Sequence, residues 1–187
     1  MKIFPSAAVF LAAVFFAAVI FLGAISCTSK PPSPSAAKET PRATAKIVNC
    51  GEISAQKQAG KNTAPNTDLG YVGIMHELDS PKFKPGCPNI NAQPGTRFGV
   101  QLLVTSHSGQ SIVPLTTRVY HPAIKNPETG RSTTMDEWAS PMNAGIPRYS
   151  GWSFDKPWEL VPGKWRIEVM DRGVVIAAQD FDVSVSK

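Results

Sequence analysis

Three histidines are the side chains of this chain best suited to acid–base or metal chemistry. His76, His107 and His121 are spread along the sequence without the spacing of a metal site. His107 follows Ser106, but a catalytic triad is assembled by fold geometry and not by adjacency in sequence. We expect His121 to end a strand and to hydrogen-bond locally. We therefore predict no catalytic residue, no metal and no cofactor.

Acidic residues offer a second possible chemistry. Asp136 is followed by Glu137, and Asp155 lies four residues before Glu159. Cleavage of a glycosidic bond needs two carboxyl groups ~5–9.5 Å apart across a sugar cleft. Any exposed acidic pair can meet that distance by accident, so these pairs support a hydrolase only weakly. Asp136, Glu137, Asp155 and His107 are the candidates if the protein is a hydrolase.

Aromatic residues are concentrated between positions 138 and 165. Trp165 lies in an alternating segment and is expected in the core, and core packing is also the default for Trp152. Trp138 and Trp158 lie in turn-rich segments beside polar neighbours. Exposed rings can stack on sugars or anchor a protein partner. The candidate ligand contacts are therefore Trp138, Trp158, Trp152 and His121.

The elements that would position these side chains are strands. In residues 96–106 and 164–170, apolar and polar residues alternate, which places one set in a core and the other in water. A loop containing Asp171, Arg172 and Gly173 joins the second of these to a C-terminal strand, with a bulge expected near residues 178–180. Only Thr133–Ala139 has a composition that suits a helix, with a Thr cap and acidic residues in the first turn.

Short strands separated by Pro- and Gly-rich turns define the fold class. They predict an all-β protein, an antiparallel β-sandwich of two sheets, with a small closed β-barrel as the alternative. Residues 45–187 form this domain, which is long enough to bury a core of its own. Further strands are expected at 47–53, 70–78 and 115–119.

The N-terminus predicts export. Lys2 precedes an uncharged apolar run over residues 7–26, which is typical of a signal peptide at 1–26. Residues 23–27 (GAISC) resemble a bacterial lipobox, in which Cys27 becomes the lipidated N-terminus. The alternative is an uncleaved transmembrane anchor, because twenty apolar residues suffice to cross the bilayer. Both interpretations place the rest of the chain outside the cytoplasm.

The cysteine count agrees with export. The chain has three cysteines, and an odd number in an exported protein leaves one thiol to explain. If Cys27 carries lipid, Cys50 and Cys87 can form a disulfide in an oxidising compartment. Closing a loop of about 37 residues in this way is worth ~4 kcal/mol in the chain-entropy model. Two free buried thiols are the alternative.

Residues 27–44 differ sharply in composition from the predicted domain. This segment is rich in Pro, Ser, Thr, Ala and Lys and has no large apolar side chain, so we expect a solvated tether. The membrane is then a partner through the N-terminal lipid or anchor. Thr28 and Ser29 come directly after the lipobox cysteine with no Asp there, which favours the outer membrane if the organism is Gram-negative.

The formal charge of +5 does not indicate a nucleic-acid partner. From residue 45 onward the chain has 15 basic and 13 acidic residues, and the net charge falls to +2. A nucleic-acid reader needs a concentrated basic stripe, whereas these bases are scattered among acids. We therefore predict no nucleic-acid binding.

Several short motifs, taken in order, resemble a known family. They are GTRFG at 95–99, HP at 121–122, NPETG at 126–130, GWSFD at 151–155, ELVPGKW at 159–165 and FDV at 181–183. The pattern resembles a family of exported bacterial proteins catalogued as a domain of unknown function, over about residues 47–185. The resemblance implies an immunoglobulin-like β-sandwich and supplies no catalytic residues. The cysteine pair and the tether are not part of the pattern.

The sequence leaves two functional hypotheses. The favoured one is a non-catalytic, membrane-tethered module of the cell envelope that faces the periplasm or cell surface. Its partner would be an envelope protein or a cell-wall polysaccharide. The alternative is a periplasmic hydrolase that acts on glycan or ester bonds.

Overall fold

The computed structural model describes residues 40–54, 58–75 and 81–185. The apolar segment at 7–26, Cys27 and most of the tether lie outside these residues, so the signal and lipidation remain predictions. In the described part of the chain, no helix is both long and apolar enough to cross a membrane. That part contains twelve strands: β1 Ala43–Ile53, β2 Gln58–Thr63, β3 Tyr71–Met75, β4 Asn89–Ala92, β5 Arg97–Ser106, β6 Ile112–Val113, β7 Thr116–Lys125, β8 Ser132–Ala139, β9 Met142–Asn143, β10 Arg148–Ser153, β11 Gly163–Asp171 and β12 Val174–Val185.

Two main sheets form the layers of the domain. One has three strands in the order β1-β5-β10, and the other has five in the order β4-β12-β11-β7-β8. Their pairings are antiparallel, except that β4 runs parallel to β12. The β2–β3 pair and the short β6–β9 pair complete the described strands. Among the described strands neither main sheet closes on itself, so the protein is a β-sandwich and the barrel alternative is wrong.

The core lies between the two sheets and follows the alternation seen in the sequence. On β5, Phe98, Val100, Leu102 and Val104 are buried. Phe98 lies 5.6 Å from Phe154, 5.7 Å from Trp165 and 5.1 Å from Phe181, measured between ring centroids. The contact with Phe154 is stacked and the other two are edge-to-face, and both geometries stabilise the core beyond the area that each ring buries. The assignment of Trp165 to the core is confirmed.

Two local predictions on the sheet of five strands are wrong. The segment 133–139 is not helical, because it forms most of β8 and pairs with β7 on both sides of a register shift between Tyr120 and Ile124. Sheet pairing there outweighs a weak local preference for a capped helix turn. His121 does not end a strand either. It lies inside β7, which continues to Lys125.

The predicted C-terminal hairpin is confirmed, but its bulge lies at a different position from the predicted one. β11 pairs with β12, and the turn between them consists of Arg172 and Gly173, both with positive φ. The register shifts between Val169 and Met170, opposite Val175 and Ala177. The bulge therefore lies nearer the turn than the predicted position at 178–180. A bulge beside a tight turn relieves the strong local twist of the hairpin.

The disulfide between Cys50 and Cys87 is confirmed, with Cα atoms 5.9 Å apart and a sequence separation of 37. It ties β1 to the segment that leads into β4. The alternative of two free thiols is wrong.

Candidate functional site

The hairpin formed by β2 and β3 lies against β8 and the turn before it. We call residues 58–75, which include both strands, the arm, and residues 64–70, the loop between the two strands, the arm loop. The arm loop contacts β8, where Glu137 N donates to Asn66 O at 3.1 Å. Asn126 Nδ2 donates to Asp68 O at 3.1 Å, and Arg131 Nη1 donates to Pro65 O at 3.1 Å. The arm loop is therefore fixed by polar contacts and not by apolar packing alone.

Beneath the arm loop, four ionisable side chains are buried together. We call Asp68, His121, Asp136 and Glu159 the buried cluster. They come from the arm loop, β7, β8 and the short 3-10 helix Pro157–Glu159. Their exposed fractions are 6%, 5%, 0% and 0%. Charged side chains are seldom buried to this extent unless they are paired or neutralised.

The geometry of His121 fixes its tautomer. Nδ1 lies 2.8 Å from the carbonyl oxygen of Pro122, which can only accept a hydrogen bond, so Nδ1 carries the proton. Nε2 lies 3.9 Å from Oδ2 of Asp136. Burial lowers the pKa of His121, so the imidazole is neutral at neutral pH. The Nε2 lone pair of the neutral ring then faces the Asp136 carboxyl group.

The carboxyl groups of the buried cluster have raised pKa values. Burial, together with the nearby Asp136 charge, raises the pKa of Asp68 to about 7. Burial raises the pKa of Glu159 to about 8 and also raises that of Asp136. A carboxyl group in a low-dielectric site binds its proton more tightly because the anion loses its hydration. Asp68 and Glu159 therefore titrate near neutral pH.

Unused hydrogen-bonding capacity is confined to this region of the described structure. Seven buried side-chain nitrogen or oxygen atoms there lack a hydrogen-bond partner, and they belong to Asp68, His121, Thr133, Asp136, Trp152 and Glu159. His121 and Trp152 are in contact, with ring centroids 5.5 Å apart. Buried polar groups are normally hydrogen-bonded, and exceptions tend to occur at functional sites. The buried cluster is therefore chemically distinct from the rest of the core.

A cleft of about 560 Å³ opens above the buried cluster. All six residues of β10 line it, as do residues 71–73 of β3 and residues 138–143, which run from the end of β8 through β9. Asp68 and Glu159 belong to both the cleft and the buried cluster. The cleft combines aromatic, basic and acidic side chains, of which the main ones are Trp138, Tyr149, Trp152, Arg97, Arg148 and Asp155. Its volume is typical of pockets that bind small molecules or peptide segments.

The four predicted ligand contacts are placed differently. Trp138 is half-buried and lines the cleft, and Trp152 is 6% exposed in its wall. Trp158 packs against the core and does not line the cleft. His121 lies in the buried cluster, next to Trp152. The structure therefore brings three of the four candidates to one region.

Of the two predicted acidic pairs, Asp155 and Glu159 both line the cleft, whereas Asp136 and Glu137 lie in different surroundings, and His107 is remote from both. Asp136 is buried in the cluster, whereas Glu137 accepts a hydrogen bond from Arg118 Nε at 2.8 Å. His107 is exposed and lies 3.5 Å from Thr44 Oγ1. Asp155 is exposed, lines the cleft and accepts a hydrogen bond from Ser153 Oγ at 2.6 Å. In the described residues no group of three or more His, Cys, Asp or Glu side chains is arranged to hold a metal ion.

Sequence reasoning missed Asp68 and Tyr149 and placed Glu159 only as a possible partner of Asp155. Asp68 and Glu159 are 91 positions apart, and no local pattern connects them. Glu159 does begin ELVPGKW, one of the motifs on which the sequence resemblance rests, and this was the one signal that could have indicated its place in the site.

Together, the fold and the cleft define a class: an immunoglobulin-like sandwich with a side cleft above buried acidic groups. The chain belongs to the family described as Domain of unknown function (DUF3859), whose model matches residues 76–183. The resemblance inferred from the sequence motifs is thereby confirmed at the level of the family. His121, Asp136 and Glu159 lie within the matched region, whereas the arm and Cys50 precede it.

Solved structures give a second comparison. The chain is similar to an immunoglobulin-like protein from Pseudomonas aeruginosa, with a TM-score of 0.53 and 20% sequence identity. The match covers 76% of this chain and 98% of that one. At this level of identity the likeness establishes the fold alone. A comparison with curated proteins finds no significant match.

Proposed function

We propose that this protein is a non-catalytic binding module of the cell envelope, and that it holds its ligand in the cleft between the arm and β10. The observation that carries the proposal is the cleft itself. Trp138 and Trp152 present aromatic surface there, beside the polar groups of Arg97 and Arg148. A concave site with aromatic walls and a few polar groups is the usual form of a binding pocket.

The proposed location is the outer surface of a membrane, reached through the lipid on Cys27 or an uncleaved anchor. The apolar run at 7–26 and the Pro-rich segment after it support this part of the proposal. The Cys50–Cys87 disulfide also supports it, because such bonds persist in oxidising compartments. The partner would be an envelope protein or a cell-wall polymer.

One observation favours the hydrolase alternative. Asp68 and Glu159 both line the cleft, and a carboxyl group with a raised pKa is what a general acid requires. Yet hydrolysis also needs an ionised partner or an activated water beside it. Both residues are at most 6% exposed, and Glu159 Oε2 already accepts from Lys156 N, so their carboxyl groups are poorly placed to reach a substrate in the cleft. Binding without catalysis is therefore the better proposal.

The experiment compares two tryptophan variants of the full-length chain in detergent micelles. Soluble fragments of cell-wall glycan and a phage-displayed library of random peptides serve as probes. Trp138→Ala should abolish binding of whichever probe the wild type binds. Trp158→Ala should leave that binding unchanged, because Trp158 lies outside the cleft. Retention of no probe, or equal loss in both variants, would contradict the proposal. Release of glycan or ester products, lost in Glu159→Gln, would establish the hydrolase instead.

A further inference from the structure

We propose that the ligand of the cleft is an extended polypeptide segment with acidic side chains, which pairs with the outer edge of β10 as an added strand. This inference rests on the proposed binding function, and it names the class of ligand that the cleft would bind.

The first argument is the position of β10 in its sheet. The order β1-β5-β10 makes β10 an edge strand, and its outer edge pairs with no other strand in the described part of the chain. An edge strand presents a row of backbone donors and acceptors, which is a template for another chain. Adding a strand to such an edge is a recurring mode of peptide recognition.

The register shows which residues present these groups. Phe154 N donates to Thr96 O at 3.0 Å, just beyond the end of β10. Hydrogen-bonded pairs alternate along an antiparallel ladder, so even-numbered residues of β10 bond to β5. The backbone N–H and C=O groups of Tyr149 and Gly151 and the N–H of Ser153 therefore point away from β5, toward the outer edge, whereas Ser153 O accepts from Asp155 N at 3.1 Å.

The cleft lies along this edge. All three of these residues line it, together with residues 71–73 of β3. A six-residue strand is ~20 Å long, which matches an extended segment of about six residues. The backbone groups of such a segment recur with the same two-residue spacing as those of β10. A polysaccharide has no such regular alternation of donors and acceptors.

The side chain of Tyr149 leaves the edge open. Its ring folds back over the sheet, and Oη donates to Phe98 O at 2.7 Å. Glycine is required beneath the ring, because a Cβ atom on Gly151 would lie 2.2 Å from Tyr149 Oη and 2.2 Å from Phe98 O. With Tyr149 held against the sheet and no side chain on Gly151, the middle of the outer edge is uncovered.

Charge selects an acidic segment. Arg148 begins β10, and Arg97 lies opposite Ser153 at its other end, so basic groups line the cleft at both ends of the strand. Of the acids in the lining, Asp155 is exposed, whereas Asp68 and Glu159 are buried and hold protons near neutral pH. The two arginines at the ends of the strand, against one exposed acid in the lining, favour acidic side chains at the ends of the bound segment.

The test uses a random dodecapeptide library displayed on phage, selected against the full-length chain in detergent micelles. The enriched peptides should be acidic, and a twin with lysine at the acidic positions should bind at least about tenfold more weakly. Methylation of backbone nitrogens should weaken binding at every second residue of the peptide, since only alternate N–H groups face β10. This scan needs no change to the protein.

Two matched variants locate the contact. Ser153→Pro removes a backbone N–H from the outer edge of β10, a position where edge strands tolerate proline. Ser153→Ala keeps that N–H. Both lose the hydrogen bond to Asp155 equally. We expect a loss of about tenfold or more for Ser153→Pro and less than about twofold for Ser153→Ala.

Other outcomes overturn the inference. Peptides whose binding is insensitive to alternate methylation, or equal in both Ser153 variants, would exclude strand addition. If the library yields nothing while glycan fragments bind in a Trp138-dependent manner, the proposed binding function stands and this inference falls. If neither probe binds, both fall.

Discussion

Nε2 of His121 lies 3.9 Å from Oδ2 of Asp136, and neither side chain is exposed to solvent. Nδ1 of the same ring donates to Pro122 O, so the ring can be neutral with its lone pair toward the carboxyl group. Burial lowers the pKa of His121 and raises that of Asp136, and both shifts favour the uncharged pair. Protonation of Asp68 and Glu159, whose pKa values lie near neutral pH, should therefore control stability.

We predict that the free energy of unfolding falls between pH 6.5 and pH 8. The raised pKa values of Asp68 and Glu159 mean that the native state binds more protons than the unfolded state in this range. Stability then decreases as pH rises, by about 2–3 kcal/mol. Urea unfolding at a series of pH values measures it. His121 acts in the opposite sense below pH 6.5, because its lowered pKa means that the unfolded state binds the extra proton. A flat profile above pH 6.5 would contradict a proton-holding cluster.

Glu159→Gln should remove most of that pH dependence. The amide keeps an oxygen to accept from Lys156 N, as Oε2 of Glu159 does at 2.5 Å, and it cannot ionise. At pH 9 the variant should be more stable than wild type by about 2 kcal/mol, since no buried anion forms. Glu128→Gln is the control, because Glu128 is exposed and pairs with Lys156. An equal effect of both substitutions would show that surface charge, and not burial, sets the profile.

Asn126→Ala should loosen the arm loop. Asn126 Nδ2 donates to Asp68 O, and its Oδ1 accepts from Glu128 N at 2.8 Å. Losing these buried bonds costs about 1–3 kcal/mol. Hydrogen exchange should become faster at residues 64–70 while β5 keeps its protection. Unchanged exchange in the arm loop would mean that its other contacts suffice to hold it.

Replacing both disulfide cysteines should destabilise the domain without changing the cleft. The Cys50→Ala/Cys87→Ala variant opens a loop of 37 residues, which is worth ~4 kcal/mol in the chain-entropy model. Guanidinium unfolding of the oxidised wild type and the variant measures the difference. Equal unfolding midpoints for the two proteins would contradict this role of the disulfide.

Much of the fold could be predicted from the sequence because its strands are half-buried. Alternation at Phe98, Val100 and Leu102 identifies β5 directly, since each inward position is apolar. The same rule fails for β8, where the buried inward residue is Asp136. A polar residue at a core position makes the pattern resemble a solvated helix turn, and only pairing with β7 reveals the strand.

The site was harder to predict because it is assembled from distant elements. Asp68, His121 and Glu159 come from the arm loop, β7 and a 3-10 helix, and no local sequence pattern links the three. The sequence supported Trp138 and Trp158 equally as ligand contacts, yet only Trp138 lines the cleft. What separates them is where β8 and the 3-10 helix lie in the sandwich, which local composition does not encode.

Site-specific photo-crosslinking in intact cells tests the binding cleft most directly. A benzophenone side chain replaces Ile146, which is exposed and lines the cleft, or Val175, which is exposed on β12 outside it. The binding account predicts a discrete adduct from position 146 that disappears in Trp138→Ala, and none from position 175. The same adducts from both positions, or an adduct at 146 that survives Trp138→Ala, would contradict it.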